Sequence, residues 1–231
     1  MARVLDADKI LATLDRLAAR VRERFPSAGL NRLVAELVAL GRDTRTRADW
    51  VSRPNRPLRI ATWGLGVILL VVLVGAALAL RVPGRIENLG SLMQGLEAAV
   101  NDIVFVGVAI WFLATVETRI KRRAALRGIH ELRSIAHVVD MHQLTKDPEH
   151  VLGMGPATAS SPERAMTRFE LARYLDYCSE LLSLTSKLAA LYVQAFDDAA
   201  VLAAVSDVQA LTTGLAGKIW QKIVILDTAS S

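Results

Sequence analysis

The chain has 231 residues, of which 52% are hydrophobic and 5% aromatic, with one cysteine and a formal net charge of +5. Its mean hydropathy of +0.33 is high for a soluble domain and directs attention to a membrane before any motif is read. The lone Cys178 excludes an internal disulfide framework and a cysteine-built zinc site and fits a reducing compartment, while the scarcity of rings argues against a stacking surface for single-stranded nucleic acid.

Residues 1–42 read as N-terminal amphipathic helices. Ile10, Leu14, Leu17, Val21 and Phe25 alternate at steps of four and three, one apolar stripe along a helix. Pro26-Ser27-Ala28-Gly29 breaks it, and Leu30, Leu33, Val34, Leu37 and Val38 mark a short second helix ending near Gly41. Residues 43–58 are polar and basic and contain Pro54 and Pro57, so they read as a linker.

A transmembrane hairpin is expected over 59–117. Ile60 to Leu80 carries no charge, and its 21 residues suffice at ~1.5 Å each to cross a ~30 Å hydrocarbon core. A cleaved signal peptide fits this segment poorly, given the acidic MARVLDADKI start and the depth of the segment in the chain. The second span is less uniform. Ile103 to Val116 is apolar but short, and extending it back to Leu96 brings in Glu97, Asn101 and Asp102. With the inner boundary near Glu117, Asp102 lies ~6 Å below the outer surface, where a carboxylate costs less than the ~3 kcal/mol of the bilayer centre.

Basic residues set the orientation. Arg53, Arg56 and Arg59 precede the first span, and Arg119, Lys121, Arg122, Arg123 and Arg127 follow the second. The connecting loop holds only Arg81 and Arg85, against Glu87 and Glu97. The positive-inside rule then places both termini in the cytoplasm, with Trp63 and Trp111 at the inner interface. Arg53, Arg56, Arg59, Arg119, Lys121, Arg122 and Arg123 become candidate contacts for anionic lipid headgroups. Lipid and topology account for the sequence pI near 9.7 without nucleic acid. The Ala-, Arg- and Leu-rich composition suits a bacterial inner membrane.

Beyond the spans, residues 118–146 read as a basic stalk helix continuous with the second span, and 147–160 as a loop. Its Gly153-Met154-Gly155 lacks the strand and the glycine pattern of a phosphate loop. Residues 161–231 read as a helical pair. Ser160-Ser161-Pro162-Glu163 is a helix start, and Leu171, Leu175, Cys178, Leu182, Leu188 and Tyr192 form the stripe that follows. Asp197 or Asp198 caps a last helix striped by Val201, Val205, Val208, Leu211, Leu215, Ile219 and Leu226. No alternating strand pattern occurs. The expected fold is all-α: a two-span hairpin with a cytoplasmic helical bundle.

Chemistry is sparse. His130, His137, His142 and His150 cluster in the stalk and the loop after it, but one helix brings only His137 and Asp140, three apart, to one face within reach of a single divalent metal. Cys178 sits on an apolar stripe and reads as core, no serine lies in a GxSxG-like turn, and Asp197-Asp198 has a capping role. No catalytic residue and no organic cofactor are expected, so the chain reads as non-enzymatic. Gly64, Gly66, Gly75, Ala79 and Gly107 allow close helix contact, and in a ring of several copies Asn101 and Asp102 would line a cation-favouring lumen. An amphipathic N-terminal helix, two spans and a basic helix over roughly residues 40–145 resemble in layout the SLATT-type two-span effectors of bacterial conflict systems, which implies pore formation. Three functions are therefore expected in order: a membrane-anchored bundle that binds a helical protein partner or self-associates, a homo-oligomeric channel, and a metal-binding membrane protein.

Overall fold

The computed structural model describes residues 4–80, 89–148, 152 and 166–228. Among them every regular element is a helix: α1 Ala7–Arg24, α2 Gly29–Ser52, α3 Arg56–Leu80, α4 Leu89–Leu144, α5 Arg168–Ala195 and α6 Ala199–Thr228. They divide into two compact units, residues 53–121 and residues 1–52 with 122–231. The sequence stretches Gly29–Gly75, Val100–Leu144 and Ala199–Thr228 each contain a helical window long and apolar enough to cross a membrane. Sequence reading anticipated two such stretches. The additional one, α6, combines its buried stripe with an unusually apolar outer face bearing Leu202, Trp220 and Ile225.

The larger unit has the single core. Ile10, Leu14, Leu17 and Val21 of α1, with Phe25 at its C-terminal end, are buried as their spacing predicts. So are Leu171, Leu175, Cys178, Leu182, Leu188 and Tyr192 of α5, and Val201, Val205, Val208, Leu215, Ile219 and Leu226 of α6. Within the same unit Ala125, Ile129, Leu132, Ala136 and Val139 of α4 face this core. Phe25 ends α1 and presents its ring edge-on to Tyr174 and Tyr177, at centroid distances of 5.5 and 6.1 Å, so the chain reversal is anchored by aromatic packing.

Two boundaries differ from the sequence reading. Helix α2 runs on through the expected 43–58 linker to Ser52. Its buried stripe continues through Leu37, Gly41, Thr44, Ala48 and Val51, so helical spacing persists after the large apolar residues give way to small ones. The polar residues between are held by partners on other helices: Arg42 on Asp15, Arg45 on Asp8 and Arg47 on Glu131. Second, the described part of α5 starts at a capping box formed by Thr167 and Glu170, not at Ser160-Ser161-Pro162-Glu163, which lies outside the described residues. Thr167 Oγ1 accepts the Glu170 N–H at 3.2 Å while the Glu170 carboxylate accepts the Thr167 N–H at 2.8 Å.

Polar side chains tie helix ends in the same unit. Asp198 caps α6 by accepting the Ala200 and Val201 N–H groups, and its other oxygen takes Arg122 of α4 at 2.7 Å. Arg122 and these amides hold the Asp198 carboxyl below its ordinary range despite the opposing effect of burial. At the opposite end of α4, Lys222 of α6 donates to the backbone oxygens of Gln143 and Lys146 and pairs with Asp147 at 3.0 Å. A cation over exposed C-terminal carbonyls is the favourable sign for a helix dipole. Gly128 of α4 permits one close approach: a Cβ there would meet the Tyr192 hydroxyl oxygen at 2.0 Å.

Candidate functional site

In the unit of residues 53–121, helices α3 and α4 come together at the end where the basic residues cluster. The turn Arg53-Pro54-Asn55 separates α2 from α3, and Asn55 Oδ1 accepts the Leu58 N–H in the first turn of α3. The Asn55 backbone N–H donates to Glu117 Oε1 at 2.9 Å. Lys121 Nζ bridges Glu117, also at 2.9 Å, and the Arg53 carbonyl oxygen at 2.7 Å. Arg59 approaches the other Glu117 oxygen at 3.5 Å. One carboxylate thus gathers a backbone amide, an ammonium and a guanidinium and fastens the turn to α4.

This arrangement separates the seven candidate headgroup contacts. Arg53, Arg56 and Arg123 are exposed, and Arg59 keeps 60% of its side chain accessible while touching Glu117. Arg119 lays its guanidinium over the rings of Trp111 and Phe112, at 5.5 and 4.8 Å from their centroids, a geometry that places charge beside an apolar surface. Lys121 is buried and fully engaged, and Arg122 is paired with Asp198 within the other unit. These last two serve internal contacts. The Glu117–Lys121 pair is one helical turn apart, whereas the Arg53 carbonyl and Asp198 are remote in the chain and left no signal in the sequence pattern.

The apolar helices of this unit bury almost nothing. In the most apolar windows of α3 and α4 no residue is buried, and Ile60, Trp63, Ile68, Val71 and Val72 of α3 and Ile103, Phe105 and Trp111 of α4 are exposed. A shallow groove of about 150 Å³ runs between the helices, lined by Thr62, Gly66, Leu70, Ile110 and Leu113. A Cβ placed on Gly64, Gly66, Gly75 or Gly107 would meet nothing within 4 Å, so among the described residues these small residues make no close helix contact. Ala79 lies among residues whose side chains fall outside the described set. Asn101 and Asp102 are exposed on α4.

The candidate metal pair does not converge with other ligands. His137 is exposed, Asp140 accepts the Gln143 side-chain N–H at 2.7 Å, and no group of three or more His, Cys, Asp or Glu is placed for a metal ion among the described residues. His142 is drawn to the side of the helix facing α2, and its ring lies against Gly29, whose built Cβ would sit 2.6 Å from the His142 Cε1. Burial first, then the charges of Arg32 and Lys146, hold the imidazole below its ordinary pKa. His150 lies outside the described residues. Cys178 is wholly buried, and burial pushes its thiol up to about 12, so the reactive thiolate is suppressed.

Comparison with protein-family models, with curated proteins and with solved structures found no match to this chain.

Proposed function

We propose that the protein is a two-span membrane anchor carrying a non-enzymatic helical bundle that mediates protein interaction or self-assembly at the inner face of a bacterial membrane. The observation that carries this reading is the contrast in burial between the apolar helices. The apolar windows of α3 and α4 have none of their residues buried, whereas 28% of the α6 window is buried and its stripe packs into the core of the larger unit. Exposed apolar surface on this scale has a reason to exist in lipid. Helix α6 instead carries Asp207, Lys218, Lys222 and Asp227, four charges that raise the cost of a bilayer crossing. The spans are therefore α3 from about Ile60 and α4 to about Val116, with both termini on the side of Arg53, Arg56, Arg59, Arg119 and Arg123.

The test is a topology map. Reporter fusions at residue 85 and at the C-terminus are expected to report opposite sides, and the full chain is expected to stay with membranes through alkaline carbonate washing. Reporters on the same side would replace the hairpin by an arrangement in which α6 also crosses. A second reading, a homo-oligomeric pore, is favoured by one observation: Asp102 and Asn101 are exposed on a helix that the proposed topology puts in the bilayer, where assembly with other copies would cover them. Cation flux in liposomes that loses its selectivity on Asp102→Ala supports that reading, and unaltered selectivity removes Asp102 from it.

A further inference from the structure

The larger unit contains a cavity of about 390 Å³ where the α1–α2 turn, the end of α4 and the start of α5 meet. Its size falls within the range of small-molecule sites. Phe25 and Tyr174 give it an aromatic wall. Arg24 and Lys146 supply charge, and each lies beside a ring: Arg24 is 5.2 Å from the Phe169 centroid and Lys146 is 5.4 Å from that of Tyr174. Arg32 on α2 is close enough for its charge to act on His142, which also lines the cavity. Nine other basic residues of this unit are paired with carboxylates, namely Lys9, Arg20, Arg42, Arg45, Arg47, Arg122, Arg168, Arg173 and Lys222. Arg24 and Lys146 form no ion pair among the described residues, and both line this cavity, as does Glu170, on whose carboxylate the Arg24 charge acts.

The remaining groups are one carboxylate and a helix start. Glu170 lines the cavity, but its carboxylate is committed to the capping box, accepting the Thr167 N–H and, at 2.9 Å, the Thr167 hydroxyl. Gly29 opens α2, whose first turn has no acidic residue to occupy its free amides. The His142 ring rests against this same turn because Gly29 has no side chain. Two cations that form no ion pair, a helix start and an aromatic wall together describe a receptor for an anion with an organic body. We propose that the cavity binds a small organic phosphate, its phosphate monoester drawn to Arg24, Lys146 and the start of α2, and its body packed on Phe25 and Tyr174.

Phosphate monoesters occur both on soluble metabolites and on lipid headgroups, so the experiment uses both. Full-length protein in a neutral detergent and low-salt buffer is dialysed against radiolabelled AMP, with inorganic phosphate as competitor. The same chain in nanodiscs is compared with and without phosphatidic acid. Saturable AMP binding that phosphate displaces, and that the Arg24→Gln/Lys146→Gln variant weakens about tenfold or more without changing the melting temperature, is the expected result. Saturable binding only in phosphatidic acid nanodiscs, lost in the same variant, supports the site and assigns its ligand to lipid. A control variant, Arg42→Gln/Arg45→Gln, is expected to bind normally.

A pH series adds a readout that diffuse surface charge would not produce. The charged groups facing His142 are Arg24 of α1, Arg32 of α2, Lys146 after α4 and Glu170 of α5, with Lys222 of α6 on the adjoining carbonyls. Bound anion favours the imidazolium, so affinity for sulfate, whose charge is fixed in this range, rises from about pH 8 to about pH 6, and the rise flattens in His142→Gln. The proposal is overturned by the absence of saturable binding to AMP, phosphate and phosphatidic acid alike, by undiminished binding in Arg24→Gln/Lys146→Gln, or by equal loss in the Arg42→Gln/Arg45→Gln control.

Discussion

The two units use the same kind of residue in opposite ways. Between residues 53 and 121, leucine, isoleucine, valine and tryptophan point outward, and the internal contacts are polar: Glu117, Lys121, Asn55 and Arg53. In the other unit the aliphatic residues fill a core at helical spacing, and the polar contacts lie at helix ends and across the outer sides of neighbouring helices. Helix α4 contributes to both and changes its pattern along its length. Apolar residues surround it over Ile103–Val116, whereas from Ala125 to Val139 they keep to one stripe. The comparison teaches that hydropathy alone does not separate a span from a core helix. Periodicity and the company of buried partners do, and α6 is the case that requires them.

Paired aspartate substitutions break the comparison most severely. Leu175 and Leu182 have no accessible surface. Replacing both with Asp is expected to remove more than about 4 kcal/mol through lost packing and buried carboxylates. The cooperative melt followed by circular dichroism would then vanish. The mirror experiment places Asp at Val71 and Val72, which are 63% exposed. There the expected cost is about 3 kcal/mol per charge at the bilayer centre and falls on membrane insertion, read as protein lost from the washed membrane fraction. A surviving melt in the first variant, or full membrane retention in the second, would erase the distinction between the units.

The next effects come from single close contacts in the core-bearing unit. Gly128→Ala forces a methyl group into the Tyr192 phenol and is expected to cost about 1–3 kcal/mol, measured by denaturant unfolding. Asp198→Ala removes the α6 cap and leaves Arg122 without its partner, for about 1–2 kcal/mol near neutral pH. Because the Asp198 pKa is lowered in the fold, its contribution is present above the unfolded carboxylate pKa and is lost as pH falls through the folded value. Wild type and variant should therefore converge in acid, below about pH 4. A gap that persists undiminished well below about pH 4 would contradict the assigned role of the carboxylate.

Much of this framework is legible in the sequence, because stripe spacing is a local property. The stripes of α1, α5 and α6, the continuous α4 and the Asp198 cap all follow from residues within a few turns of one another. The extension of α2 was hidden because between Leu37 and Val51 its buried positions are Gly41, Thr44 and Ala48, which carry little hydrophobic signal. Lys121 and Arg122 looked like lipid contacts since a basic run beside a span reads as one patch. Lys121 pairs with Glu117 one turn earlier on the same helix, whereas its second partner, the Arg53 carbonyl, and Asp198, the partner of Arg122, are brought in by three-dimensional packing. The Arg24–Lys146 cavity was equally invisible, since its cations come from segments more than a hundred residues apart in sequence.

The smallest expected effect isolates His142. Its imidazole is held neutral by burial and by two neighbouring cations, so the folded pKa lies below the unfolded value of about 6.5. In the interval between the two values the unfolded chain binds more protons than the folded one, and stability rises with pH. Acidifying from about pH 7.5 to about pH 5.5 should therefore lower the melting temperature by about 1–3 °C beyond the change shown by His142→Gln. Asp198 does not contribute in this interval because its transition lies further into acid. His130 and His137 remain in the variant, so the difference between the two proteins reports His142 alone. Equal pH dependence in both would place the ring in solvent and remove it from the wall of the cavity, whereas a larger slope in wild type ties the loop-facing end of α4 to proton uptake by a named residue.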